Sequence, residues 1–215
     1  MATGLLIAGG GLTALAVAAA VTQRRREIAA RRALAARHGW QFANRRPRDV
    51  LERLQSVTLV RLGHSRHVEE VFLAAGGVML CQYCFQTGFE YHRRTHRWRL
   101  VVSEGEQEMS CAVVSGFDWL LAAAKASAFR VAPVRREDGS MAATAIVADL
   151  EAWQRRLDAG LRHWLLRQPT ERSWEIHSGL IVGHEPGTLW NGGVEDLETA
   201  GRELAGMLAA DLTAQ

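Results

Sequence analysis

The residues of this chain best able to do chemistry are its cysteines and a group of histidines. Cys81 and Cys84 form a C-x-x-C pair, the spacing used by zinc sites and by thioredoxin-like redox centres. A zinc site needs two more ligands, and Cys111 with either His92 or His96 could bring them from neighbouring strands. With His64 and His67 added, this is the set from which a metal-dependent hydrolase would be built. His92 and His96 stand four apart, as in zinc hydrolases, but Tyr91 to Arg97 lies between two predicted strands and holds no glutamate to act as general base. The pattern around Cys81 and Cys84 is that of a strand, on which residues three apart point to opposite faces, so the pair does not converge on one ion. Arg93, Arg94 and Arg97 surround the histidines with positive charge, which opposes a divalent cation. The reading is therefore no metal and no cofactor: one cysteine fills the core and the other faces outward. The arginines suit phosphate or lipid headgroups better than they suit a metal.

Other chemistries find less. Ser115, Ser173 and Ser178 lack the G-x-S-x-G elbow of a nucleophile, and Asp118 beside Ser115 reads as the first residue of a helix. Gly192-Gly193 lacks the Lys-Ser/Thr of a phosphate-binding loop, so nucleotide binding has no support, and nothing points to nucleic acid. Three cysteines in 215 residues do not make a disulfide framework, which fits a reducing compartment.

The element that would place the rest is the N-terminal one. From Gly4 to Val21 there is no charge, and as a helix that run is about long enough to cross a hydrocarbon layer of ~30 Å. Arg24, Arg25, Arg26, Arg31 and Arg32 follow it, whereas Met1 to Thr3 carry no charged side chain. By the positive-inside rule the arginine side stays in the cytoplasm, with these five arginines facing the membrane's anionic groups. A cleaved signal would place its positive charge before the apolar run, so the expectation is an uncleaved single-pass anchor in a bacterial inner membrane. Gly10, Ala14 and Ala18 form a stripe of small residues on which two copies could pair as a weak homodimer.

Beyond the anchor, the arginine-rich helix runs on to a stop at Gly39, dividing the chain into an anchor of residues 1–38 and a cytoplasmic domain of residues 39–215. Trp40 to Phe42 alternates like a short strand, and Pro47 opens a short helix through Leu51 and Leu54. Val57–Leu62, Val68–Leu73, Val78–Phe85, Trp98–Val102 and Met109–Val114 are β-branched or aromatic runs separated by glycine, the pattern of an antiparallel meander. Phe117–Ala126 reads as a helix, and Phe129–Val134 and Thr144–Val147 as further strands. Asp149 caps a helix through Trp153, Leu161 and Trp164, with a break near Gly160. Trp174–Val182 and Leu189-Trp190 read as a hairpin turning at His184-Glu185-Pro186-Gly187, and Val194–Leu212 as a closing amphipathic helix. The fold class is α+β, a transmembrane helix followed by an antiparallel sheet with covering helices.

The order of these features resembles a family of small bacterial single-span membrane-anchored proteins of unknown function. The residues that carry the likeness are the H-G-W at His38, G-H-S-R-H-V-E-E-V-F from Gly63, V-M-L-C-Q-Y-C-F-Q-T-G from Val78, R-R-T-H-R-W-R-L-V-V from Arg93 and A-D-L-E-A-W-Q-R-R-L from Ala148. The resemblance implies a membrane topology and an α+β domain, and it brings no activity and no site residues. The expected function is binding of a protein partner by a tethered domain, with a metal-dependent hydrolase and anionic-lipid or phosphate binding as alternatives.

Overall fold

A computed structural model describes residues 2–43, 48–105, 111–114, 130–177, 179–190 and 192–213, of which 2–16, 48, 111–114 and 211–213 are described by their backbone alone. The first helix, α1, runs from Ala2 to His38. It stops where expected, because Gly39 takes a left-handed φ of 68° and its N–H turns back to the carbonyl of Ala36. Ile28, Arg31, Leu34, Ala35 and His38, spaced three or four apart, form its packed face, whereas residues 17–27 are exposed. No helix among the described residues is long and apolar enough to cross a membrane, so the fold lends the Gly4–Val21 span no support; the side chains at 4–16 lie outside the described residues.

After α1 come β1 (Gln41–Ala43), α2 (Arg48–Arg53), β2 (His64–Leu73), β3 (Met79–Thr87), β4 (Arg94–Glu104), β5 (Cys111–Val114), β6 (Arg130–Arg135) and β7 (Met141–Val147). The chain then forms α3 (Leu150–Arg156), α4 (Ala159–Arg167), β8 (Ser173–His177), β9 (Leu180–Pro186) and α5 (Val194–Thr213). The strands make one antiparallel sheet in the order β1-β2-β3-β4-β9-β8-β5-β7-β6, whose edges are the three-residue β1 and the proline-bearing β6. The fold is therefore α+β, as the sequence reads.

Both faces of the sheet are covered. On one, Phe72, Leu80, Val101, Ile181 and Trp174 meet α1, α3, α4 and α5 through Ala35, Trp153, Trp164, Leu197 and Leu204. On the other, Val71, Cys81, Tyr83, Leu100 and Val182 meet α2 and a 3-10 turn at Leu59–Arg61. That double cover explains why β3 is buried from Met79 to Phe85 without a polar alternation. Trp40 belongs to this core and donates from Nε1 to Glu198 Oε2 at 2.9 Å.

Three expectations are corrected. Val57–Leu62 is a buried 3-10 turn, not a strand: its apolar residues serve the second core, and a short run does not distinguish the two. His184 and Glu185 lie within β9, because each finds a buried charged partner; the hairpin turns instead beside Gly179, at a φ of 76°. The predicted break near Gly160 falls at Asp158, whose Oδ1 caps α4 through Leu161 N at 2.6 Å. The expected Asp149 cap is present through Ala152 N, while the helix at 117–126 lies outside the described residues.

Candidate functional site

Strand register places one row of polar side chains across the helix-covered face. Glu70 pairs with Gln82, Gln82 with Arg99, and Arg99 with Glu185, so four strands contribute one residue each. Arg99 Nε lies 2.5 Å from Glu185 Oε1, and Arg172 Nε 2.9 Å from Oε2, so a buried carboxylate is held by two guanidinium groups. At the other end Arg31, from α1, reaches Glu70 Oε1 at 2.7 Å, and Trp190 Nε1 donates to the same oxygen at 3.2 Å. Burial pushes the Glu70 carboxyl up, and Arg31 and Trp190 offset only part of it. Trp190 itself stays 42% exposed.

The next row toward the β3–β4 turn is His67, Cys84 and Arg97, with Glu69 on a bulge between Val68 and Glu70. His67 Nδ1 lies 2.9 Å from the Ser65 carbonyl, and its Nε2 faces Glu69 Oε1 at 3.4 Å. Gln82 Nε2 donates to Glu69 Oε2 at 2.6 Å. Ligand atoms of His67, Glu69 and Cys84 lie within 4.8 Å of one another, so these are the described residues that could hold a metal ion. Burial alone would raise the Glu69 carboxyl, but bonds from Cys84, His67 and Gln82 hold it below its ordinary range. Burial pushes the Cys84 thiol up to about 12, with the Glu69 charge adding to it, so the sulfur is a thiol donor rather than a thiolate ligand.

The residues singled out from the sequence are dispersed. Cys81 and Cys84 do point to opposite faces, but both are fully buried, so the outward-facing cysteine is corrected: Cys84 is covered by the polar row. Cys81 sits among apolar side chains that raise its thiol to about 12. Cys111 lies on β5, four positions along the sheet from β3, which at ~4.8 Å per strand is about 19 Å away. His92 is exposed in the β3–β4 turn, and His96 is stacked on Phe85, on the other face from Cys84. Arg24, Arg25, Arg26 and Arg32 are exposed, but Arg31 belongs to Glu70 and is not free to face a membrane.

A second polar group is enclosed on the opposite face. Glu175 accepts from the backbone N–H of Thr58 at 2.7 Å and Leu59 at 3.2 Å, and from His184 Nε2 at 3.1 Å. Ser173 pairs with His184 across β8 and β9, and Ser173 Oγ and His184 Nδ1 have no hydrogen-bond partner among the described residues. These are the residue types of an acyl-transfer triad, yet Ser173 and His184 are 0% exposed and no substrate carbonyl reaches them. Their work is structural: Glu175 ties the Leu59–Arg61 turn to the sheet.

Among the described residues, the most exposed aromatic side chains are at the β3–β4 turn, where Phe89 is 76% and Tyr91 98% accessible. Gly88 is required there, at a φ of 73°, since a Cβ would meet His92 O at 2.3 Å. His64 accompanies the turn, stacking on Phe89 at 5.2 Å and meeting Gly88 O through Nε2 at 2.8 Å. Beside it an open groove of about 840 Å³ is lined by Gln55, Arg61, His64, Ser65 and Arg66 among others.

No protein-family model matches the chain, and no curated protein matches it. The fold, however, is similar to a known one. The crystal structure of the mycobacterial trehalose monomycolate transport factor A superposes with a TM-score of 0.59, covering 83% of this chain and 92% of that one at 11% identity. At that identity the transport factor shares the fold, and its residues say nothing of this chain's site.

Sequence reading missed the Glu70-Gln82-Arg99-Glu185 row because it exists only once register is set. One signal was present: Gln82 interrupts the otherwise apolar run Val78–Phe85, and a polar residue in a doubly covered strand needs a partner.

Proposed function

We propose that this chain is a single-pass protein of a bacterial inner membrane whose domain of residues 39–215 faces the cytoplasm and binds a protein partner without catalysis of its own. The observation that carries the reading is α1. Its last turns pack on the sheet, residues 17–27 are exposed, and the same helix continues into the charge-free Gly4–Val21 run. A helix of that composition has no reason to leave a folded domain into water, and a bilayer supplies the missing surroundings. Arg24, Arg25 and Arg26 then set the orientation. The resemblance to small single-span bacterial proteins agrees, and a fold shared with a protein titled as a transport factor is compatible with binding without catalysis. Trp190, half exposed above the Glu70–Arg31 pair, gives the partner surface an aromatic anchor beside fixed charge.

The test is topological. A reporter active only in the cytoplasm, fused after Gln215, should work, and one active only outside should not. The reverse pattern, or release of the protein from membranes by alkaline extraction, would overturn the reading. The second reading is a metal-dependent hydrolase, which the clustering of His67, Glu69 and Cys84 favours. Stoichiometric zinc in the purified full chain would support it over the first.

A further inference from the structure

We infer that the β3–β4 turn and the groove beside it bind anionic lipid headgroups, docking the domain on the membrane that anchors it. The inference rests on the tethered reading above. Phe89 and Tyr91 project from the turn, Phe89 with His64 stacked on one side and Tyr91 almost wholly accessible, flanked by exposed Arg93 and Arg94. Aromatic rings beside arginine fit the membrane interface, where rings sit at headgroup level and guanidinium groups pair with phosphate. Glu90 opposes this with one negative charge at the tip, against Arg93, Arg94 and, on the neighbouring strand, Arg97. The adjoining groove adds Arg61 and Arg66, each held by a backbone carbonyl, Gln55 O at 2.9 Å and Val60 O at 3.2 Å, which fixes their charge at its rim.

The path of α1 places this end of the sheet toward the bilayer. His38 pairs with Glu195 and Trp40 with Glu198, whereas Arg31, two turns earlier, pairs with Glu70. Trp40 also packs on Phe72, at 5.9 Å between ring centroids, so that α1, followed toward its N-terminus, heads from the Phe72 end of β2 past Glu70 toward the His64 end, where the turn lies. Glu70 pairs with Gln82, and from Gln82 to Gly88 at the turn is six residues along β3, about 20 Å, a height that a helix parallel to the strand covers in about 13 residues. The turn is thus level with α1 near residue 18, inside the Gly4–Val21 run and nearly two turns past Arg24. The tip stands where the interface should be. Anionic lipid is the occupant that the surrounding arginines complement.

The experiment is hydrogen exchange on the full chain in nanodiscs of phosphatidylcholine alone, or with a third replaced by phosphatidylglycerol. The amides of residues 88–93 should exchange more slowly on the anionic discs. Arg93→Gln with Arg94→Gln should shift the docking equilibrium by roughly 30-fold, about 5-fold per arginine, and Phe89→Ser with Tyr91→Ser should abolish the protection. Inorganic phosphate added to phosphatidylcholine discs should not protect the turn; if it does so equally well, the site takes free anions and the lipid inference falls. Protection that is equal on both discs and requires added membrane proteins would make the turn a protein-docking loop, again overturning it. Unprotected turn amides on anionic discs overturn it whatever the anchor does. Rapid exchange at 4–21 with the turn still protected would sink the anchor alone and leave the lipid contact standing.

Discussion

Replacing Glu175 by glutamine should loosen the second core from the sheet. The side chain is buried and accepts three hydrogen bonds, two of them from the backbone of Thr58 and Leu59, groups that have no other route to satisfaction so close to the 3-10 turn. An amide keeps one acceptor oxygen, turns an NH2 toward the remaining donors and removes the charge facing His184. Removing one partner from a buried pair costs about 3–5 kcal/mol. In a protein of this size each kcal/mol moves Tm by about 2–4 °C, so Glu175→Gln should melt roughly 6–20 °C lower. The assay is thermal unfolding of the full chain in detergent, followed by near-UV circular dichroism, with exchange at the Thr58 and Leu59 amides as local readout. The pH dependence has a definite sign. Burial alone would raise the Glu175 carboxyl, but the bond and charge of His184 and the two backbone donors outweigh it and hold it below its ordinary value of about 4.5. Its contribution is therefore complete above that value and lost as pH falls below it. The variant should lack this part of the acid slope. A variant within ~0.5 kcal/mol of the native protein, with unchanged exchange at Thr58 and Leu59 and the same acid slope, would refute the reasoning.

Three further outcomes follow from the geometry. Cys81 and Cys84, with thiols at about 12, should resist a maleimide at pH 8 in the folded chain and react once it is unfolded, as peptide mapping would read separately from Cys111. Cys81→Ser should cost about 1–3 kcal/mol in denaturant unfolding, because its surroundings are apolar, whereas Cys84→Ser should cost less, since Glu69 and Gln82 can bond the hydroxyl. Gly183→Ala should be among the most damaging glycine changes, its Cβ meeting the Trp174 ring at 2.5 Å, with a loss of about 1–3 kcal/mol in the same assay.

Much of the fold is legible in the residues. Gly39 ends α1, Asp149 caps α3, and the β-branched runs of β2, β3 and β4 announce their strands. What is not legible depends on distant partners. His184 and Glu185 look like turn residues until Glu175 and Arg172, from the neighbouring strand and the residue before it, make them core. A strand pattern turns one of Cys81 and Cys84 outward, but the bulge at Glu69 folds a carboxylate over Cys84 and both are buried. The His67-Glu69-Cys84 cluster escapes for the same reason: its members are adjacent only across a register that local pattern does not set.

On the membrane-tethered reading proposed above, the edges of the sheet matter at a crowded surface. Proteins tethered to one bilayer meet each other at high local density and in a common orientation, conditions under which an open strand edge would recruit its neighbour's. Among the described residues, the outermost strand on one side is the three-residue β1, and the stretch of β2 that it leaves uncovered, His64–Glu70, is broken by two bulges that spoil a regular ladder. The other, β6, carries Pro133, which has no N–H to give, between Arg130 and Arg135, whose like charges would face each other if two copies paired antiparallel over the full strand. The molecule can therefore crowd without polymerising.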